Sequence, residues 1–309
     1  MKYKLKIQGL NTPPGTISIR ALKDLVDTVI EASERGLRLA VQGESVKRGP
    51  IPAWLARSLD LTVTGLKKGS TTLVFDAPRL GETASEQIKQ QDLWYSKPKP
   101  EDTAITLFSR SVKEAVSGNL DSNAYDKGVL DGLLSFESFF NEFGDKIILE
   151  APRRIERFSL SCRELERVRR LKADTPEPMA FVISGQFDMI QHSSRRFHLV
   201  LSNGQIIPGT IDREILNVEN MREFWGKKVT IKGIVHFNPG RKVRLLEAQT
   251  IKLAEQGEEI FEKMPGPAKP VALFETDLHK LSVGPALEEI WGKWPGDEPI
   301  EELLASLTP

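Results

Sequence analysis

The chain reads as an α+β protein: an N-terminal α/β sandwich domain, then a small five-stranded β-barrel, then a partly extended C-terminal tail. Three observations predict this. Over roughly the first half of the chain, apolar residues pass from strict alternation to three- and four-residue spacing and back. Residues 179–253 hold five alternating runs separated by turn residues. From 255 onward the chain turns acidic, with twelve acidic residues against four basic ones, and carries a proline-rich hinge. The expected boundaries are 1–150 for the α/β domain with its covering helices, 151–178 for a basic linker region with a helix, 179–253 for the barrel, and 254–309 for the acidic tail with a short terminal helix.

In order from the start, Lys2, Lys4 and Lys6 alternate with Tyr3, Leu5 and Ile7, a strand pattern rather than the apolar block of a signal peptide. The Asn11 to Gly15 turn leads to Ser18, a helix-capping residue, followed by Ile19, Leu22, Val26, Val29 and Ile30 on one predicted face and Arg20, Lys23, Asp24 and Asp27 on the other. Strands are expected at 37–41, 59–63 and 71–75, the last two joined through Gly65-Leu66-Lys67-Lys68-Gly69. That glycine-containing stretch leads into a strand and lacks a Gly-Lys-Ser/Thr ending, so it reads as a hairpin and not as a phosphate loop.

The stretch 78–100 reads as an extended connection. Two helical patterns follow: Ala104, Leu107, Phe108, Val112 and Ala115, then Leu130, Leu133, Leu134, Phe136, Phe139, Phe140 and Phe143. The phenylalanines are assigned to core packing. Residues 147–160 read as short strands and 161–171 as a charged helix. Between Arg153 and Lys172 eight basic residues face Glu156, Glu164 and Glu166, which suits either a basic patch or a solvated helix face.

The barrel strands are expected at 181–187, 197–201, 206–211, 229–237 and 243–251, with a helical or irregular segment at 219–225 between the third and fourth. Asn203-Gly204 and Asn238-Pro239-Gly240 supply the turns, and Gly185 and Gly233 suit sharp bends within strands. Phe181, Ile183, Leu199, Leu201, Val229, Ile231, Ile234 and Leu245 form its expected core. This pattern resembles the OB-fold domains of tRNA-handling and single-strand-binding proteins, and the resemblance implies a Greek-key barrel that binds single-stranded nucleic acid or RNA. The module carries eleven basic and six acidic residues. Arg195, Arg196, His198, Lys242 and Arg244 are its candidate nucleic-acid contacts. Alternation buries Phe197 with Leu199 and Leu201, buries Phe237 with Val235, and turns His198 outward.

The composition excludes several chemistries. Hydrophobic residues make up 39% of the 309 positions and charged residues 28%, a globular balance without a bilayer-spanning run. Acidic and basic residues match at 43 each, so whole-chain charge gives no argument for polyanion binding. Cys162 is the only cysteine, which excludes an intramolecular disulfide and a thiolate-rich zinc site. Of the four histidines, His192, His198, His236 and His279 show no metal-ligand spacing; His198 and His236 are placed as exposed barrel residues able to meet across its surface. No catalytic set, metal site or cofactor is assigned, and the chain is read as a non-enzymatic cytoplasmic protein with no membrane partner.

The tail supplies the leading functional expectation. Beyond the 264–270 hinge, Trp291 and Trp294 precede Gly296, Asp297, Glu298, Pro299, Ile300, Glu301, Glu302, Leu303, Leu304 and Leu307. Asp297 and Pro299 suit a helix start, and Ile300, Leu303, Leu304 and Leu307 form an apolar stripe. The run from Trp294 resembles the tail of prokaryotic antitoxins paired with PIN-domain ribonuclease toxins, matching at Trp294, Gly296, Asp297, Glu298, Glu301, Glu302 and Leu303. The chain departs from that family in its large N-terminal region, its barrel and its lack of an evident DNA-binding head. The resemblance implies a toxin–antitoxin system, with a co-encoded protein partner, such as a PIN-domain ribonuclease, held by the tail. The alternative is a nucleic-acid-binding protein acting through the barrel and the basic 153–172 region.

Overall fold

The structure is a computed structural model that describes residues 1–47, 49–67, 71–88, 98–152, 157–191, 196–211 and 223–267. Met1–Pro267 form one compact unit. The tail residues 291–307, the Arg195 site and the 268–270 end of the hinge lie outside the described residues, as does most of the 219–225 segment. Residues 98–100 and 264–267 form no helix or strand, as their prolines predict. Among the described residues no helix is long and apolar enough to cross a membrane.

The N-terminal region is one antiparallel sheet covered by helices. Its strands are β1 (Lys2–Gln8), β2 (Thr62–Lys67), β3 (Thr72–Asp76), β4 (Lys146–Glu150) and β5 (Phe158–Ser161), in the order β2-β3-β1-β4-β5. Alternation in β1 sends Tyr3, Leu5 and Ile7 into the core, against α1 (Ile19–Gln42) and α5 (Ala104–Ser117). Burial removes all exposure from Leu25 of α1, a contribution of roughly 2 kcal/mol for such a side chain. Tyr3 is fully buried because its hydroxyl meets Thr103 Oγ1 at 2.8 Å and Thr106 Oγ1 at 3.1 Å. The same two threonines form the capping box that starts α5.

Residues 78–100, expected as an extended connection, are corrected at their start: α3 (Leu80–Thr83) and α4 (Ser85–Ile88) are short helices, and with α2 (Ala53–Ser58) they build a satellite cluster in which Leu80 and Ile88 bury against Leu55 and Leu107. The phenylalanine-rich stretch is two helices, α6 (Lys127–Leu134) and α7 (Phe136–Glu142), and Phe136, Phe139 and Phe140 are core residues. The charged helix α8 (Cys162–Asp174) and strand β5 join this region rather than bridging to the next. Leu165, Val168 and Leu171 recur at three-residue spacing, giving α8 a narrow apolar stripe that enters the first core beside Phe158 and Leu160.

One expectation is corrected at α1. Residues 37–41, expected as a strand, are its last turns, and the helix ends at Gly43 in a left-handed conformation. The apolar run continues the helical stripe through Ala32, Gly36, Leu37 and Leu39, all buried. Gly36 faces α5 at contact distance, since a Cβ there would lie 3.5 Å from the Phe108 backbone, an ordinary van der Waals separation. The buried face is also rotated from the predicted one: Ser18 caps the helix through its side chain, but Ile19 is 87% exposed while Leu25 is fully buried.

Beyond α8, the strands β6 (Met179–Gln191), β7 (Arg196–Val200), β8 (Ile206–Ile211), β9 (Lys228–Phe237) and β10 (Val243–Leu253) close into a barrel in the order β10-β8-β7-β6-β9. All ladders are antiparallel except β8 with β10. This arrangement is consistent with an OB-like fold. Ile183, Leu199, Leu201, Val229, Ile231 and Leu245 are buried as predicted; Phe181 and Ile234 are half-buried. The chain after β10 stays on the barrel: a 3₁₀ turn, Glu258–Phe261, brings Glu258 to Thr230 Oγ1 at 2.6 Å and Lys252 at 2.7 Å. Hydrogen bonds from Lys252, Thr230 and the Glu255 amide hold the Glu258 carboxyl down to about 2.

Candidate functional site

The barrel docks on the N-terminal region through β7, β8, β10 and the β9–β10 turn, and the docking surface is the C-terminus of α1 with the α5–α6 loop. Gly240 donates its amide to the Leu120 carbonyl at 3.0 Å, and Lys242 Nζ reaches Asp121 at 2.6 Å. Thr210 Oγ1 on β8 donates to Glu44 at 3.1 Å. Arg244 Nη1 donates to the Gly43 carbonyl at 2.6 Å, where the α1 dipole is negative. Its Nη2 lies 3.6 Å from Asp126 Oδ2.

Asp126 is tied into the same junction. One oxygen accepts the Val129 amide at 2.9 Å, capping α6, and the other accepts the Ser45 amide at 3.1 Å. The Arg244 side chain is 7% exposed and that of Asp126 13%, so this ion pair is largely withdrawn from water.

These contacts redistribute the predicted nucleic-acid residues. Arg196 is half-buried on β7, Arg244 is clamped at the junction, and Lys242 is exposed but paired with Asp121. His198 is corrected: it is 3% exposed, not turned to solvent. Alternation correctly put Phe197 inside the barrel, at 0% exposure, but the outer side of β7 at His198 is covered by the N-terminal region. Nor do the histidines form a pair. His198 is on β7 and His236 on β9, which are not neighbours, and His236 Nε2 faces Glu247 on β10 at 3.3 Å. Among the described residues no cluster of three or more His, Cys, Asp or Glu side chains suits a metal ion.

Between the docked surfaces lies a cleft of about 480 Å³. Leu39 and Ala40 of α1, Leu107 of α5 and Pro208 and Leu245 of the barrel give it an apolar wall. Arg110, Arg196, Arg244 and Glu114 line it; Arg110 lies 3.5 Å from the buried Asp102 and Arg244 3.6 Å from Asp126, and Glu114 accepts from Asn119 Nδ2 at 2.7 Å. Sequence reasoning missed Arg110, Glu114 and the 119–124 loop. Arg110 and Glu114 stand one turn apart on the polar side of an amphipathic helix, the ordinary place for solvated charge, and only the docked barrel distinguishes them.

Two groups beside the cleft have perturbed protonation. Burial pushes the Tyr125 hydroxyl up to about 12, aided by the charges of Glu114 and Asp121, and the phenol donates to the Asn119 carbonyl. Burial raises the Glu44 carboxyl above its ordinary value, and Glu247 adds to this; the Thr210 bond, His236 and Lys47 oppose it.

In the basic 153–172 stretch, Arg169 and Lys172 are paired with acids, while Arg157 and Arg167 donate to the Ala151 and Val116 carbonyls. Arg169 makes a two-pronged contact with Glu137, 2.8 Å to each oxygen, and also meets Glu166. Lys172 meets Asp131 at 2.6 Å. Arg153 and Arg154 lie outside the described residues. Comparison of the chain with protein-family models, with curated proteins and with solved structures finds no match, so the functional reading rests on the chain's own residues and geometry.

Proposed function

We propose that this chain is a non-enzymatic partner-binding protein, antitoxin-like in its logic, which holds a co-encoded protein such as a PIN-domain ribonuclease through its acidic C-terminal tail. The observation that carries this reading is the covering of the barrel. The strand face bearing Arg196, His198 and Arg244 is turned toward α1 and the α5–α6 loop across the cleft, so among the described residues it is not a surface platform for a nucleic-acid strand. The basic helix α8 likewise spends Arg169 and Lys172 on neighbouring acids. That shifts weight from the alternative, single-stranded nucleic acid or RNA on the barrel, toward the tail. There, Trp291 and Trp294 supply aromatic anchors and Ile300, Leu303, Leu304 and Leu307 an apolar stripe. Asp297, Glu298, Glu301 and Glu302 would steer the tail to a basic surface.

The test is calorimetric titration of the partner co-purified from the native host with the full chain, a chain ending at Pro267, and Trp294→Ala and Lys293→Ala variants. Truncation is expected to abolish binding while Met1–Pro267 still unfolds cooperatively. Trp294→Ala should weaken binding by about tenfold or more, as loss of an aromatic anchor does. Lys293→Ala should change it by about twofold at most. Unchanged affinity after tail removal rejects the reading. Parallel titration with single- and double-stranded DNA and RNA at low salt tests the alternative, since backbone contacts of that kind are strongest there.

A further inference from the structure

We propose that the outer edge of the N-terminal sheet, strand β2, is an interface between two copies of this chain, which pair antiparallel along it into one continuous sheet. The two edges of the sheet are finished differently. β5 is only four residues long and runs directly into α8, whose apolar stripe packs beside it. β2 pairs with β3 along one side, no described strand pairs with its other side, and all six of its residues are exposed. An edge of this kind presents unpaired amides and carbonyls, a template for another strand.

The side chains of β2 support the same use. A register shift between Val63 and Gly65 sets Val63 opposite Phe75 and Leu66 opposite Leu73, so both face the helix-covered side with those two core residues. Bulges often turn an edge away from pairing; this one aligns two apolar side chains on one face. Yet α1 leaves them uncovered, with Val63 51% exposed and Leu66 39%. The strand has neither a proline nor a charge on that face, two of the usual guards against edge pairing. Beside Val63 a shallow apolar groove runs between β2 and the flank of α1, lined by Leu25, Val26, Val29 and Leu61. At about 30 Å³ it is far below the roughly 300 to 1,000 Å³ of small-molecule sites, so it suits a side chain on a docked strand rather than a free ligand.

Charge identifies the occupant as a second copy. Asp60 precedes the strand, Lys67 ends it, and no charge stands between them. Both are exposed, and neither forms an ion pair among the described residues. A copy running antiparallel about a two-fold axis normal to the sheet brings the acidic end of each strand to the basic end of the other, twice over, whereas a parallel copy sets like charges side by side. The same axis keeps the faces matched, so Val63 and Leu66 of both copies form one apolar layer between the two α1 helices.

The experiment is sedimentation equilibrium of the full chain, with hydrogen exchange measured at low and high concentration. A dimer with a dissociation constant of about 1 to 50 µM is expected for so small an interface, and the amides of 62–67 should gain protection as it forms. Val63→Lys places a charge on the apolar face at two symmetric points and should weaken dimerisation about thirtyfold or more. Lys67→Asp should weaken it about fivefold, because the opposite-charge contact is lost at both ends, and adding Asp60→Lys should restore it to within about twofold. Asp60 and Lys67 are exposed, so the charge swap stays readable if Val63→Lys unfolds the chain. A monomer at about 100 µM, protection confined to residues outside 62–67, indifference of a folded Val63→Lys variant, or no recovery in the double swap would each overturn the proposal. Trp294→Ala should leave the dimer unchanged, so this interface and tail-dependent partner binding fail separately; a dimer lost with Trp294 would belong to the tail and not to β2.

Discussion

Arg244 of the barrel donates through Nη1 to the carbonyl oxygen of Gly43, the residue that ends α1, at 2.6 Å. The two lie 201 positions apart in the chain, and the bond makes the helix terminus a fixed seat for the barrel. The same guanidinium lies beside Asp126, which caps α6, so one side chain ties three elements together.

Arg244→Ala is therefore expected to destabilise the protein by about 3 kcal/mol, because it leaves a largely buried Asp126 without its cation. Arg244→Lys should recover only part of this, since an ammonium cannot span Gly43 and Asp126 as a fork does. Urea unfolding monitored by circular dichroism gives both values. A loss below about 1 kcal/mol for Arg244→Ala, the range of an exposed pair, would contradict the seat.

Inside the barrel, Gly209 on β8 sits opposite Phe197 on β7, and a Cβ at Gly209 would lie 2.1 Å from the phenylalanine ring. Phe197 is fully buried and stacked on Phe187 with ring centroids 5.0 Å apart, so it has nowhere to retreat. Gly209→Ala should cost about 2 to 3 kcal/mol by overpacking. Gly65→Ala is the control: it lies in edge strand β2, with nothing within 4 Å of its would-be Cβ and no positive φ. It should be neutral or slightly stabilising in the same unfolding assay, by about 0.5 kcal/mol.

The contrast between Phe197 and His198 shows how far a sequence reaches. Alternation along β7 reports which side chains face the barrel interior, and it placed Phe197, Leu199 and Leu201 correctly. It carries no information about what covers the other side, so His198 was expected in water and lies under another region. The same limit hid Arg110, whose place in the cleft depends on a surface contributed by residues nearly a hundred positions away. At 37–41 the failure was one of period: a short stretch apolar at four of its five positions, Leu37, Leu39, Ala40 and Val41, fits a strand or the end of a long helix equally, and only packing on α5 decides. Strong turn chemistry was more informative. Asn203-Gly204 is followed by a Gln205 amide bound to Asn203 Oδ1 at 3.0 Å, and Asn238 Oδ1 accepts the Lys242 amide at 2.9 Å.

The final prediction concerns pH and the junction itself. Glu44 accepts a hydrogen bond from Thr210 across the docking surface, yet burial and the nearby Glu247 raise its carboxyl above the ordinary glutamate value, outweighing Thr210, His236 and Lys47. A carboxyl raised in the folded state binds its proton more tightly there than in the unfolded chain. Its favourable contribution is therefore fully present below the unfolded value, about 4.3, and is lost as pH rises through the higher folded value. Glu44→Gln keeps an acceptor oxygen for Thr210 and removes the charge. The variant should match the wild type below the unfolded value and become the more stable of the two as pH rises through the raised folded value. Urea unfolding of both proteins across that range reads the difference directly. A variant equally destabilised at every pH would show that the Thr210 contact, rather than the buried charge, dominates at Glu44.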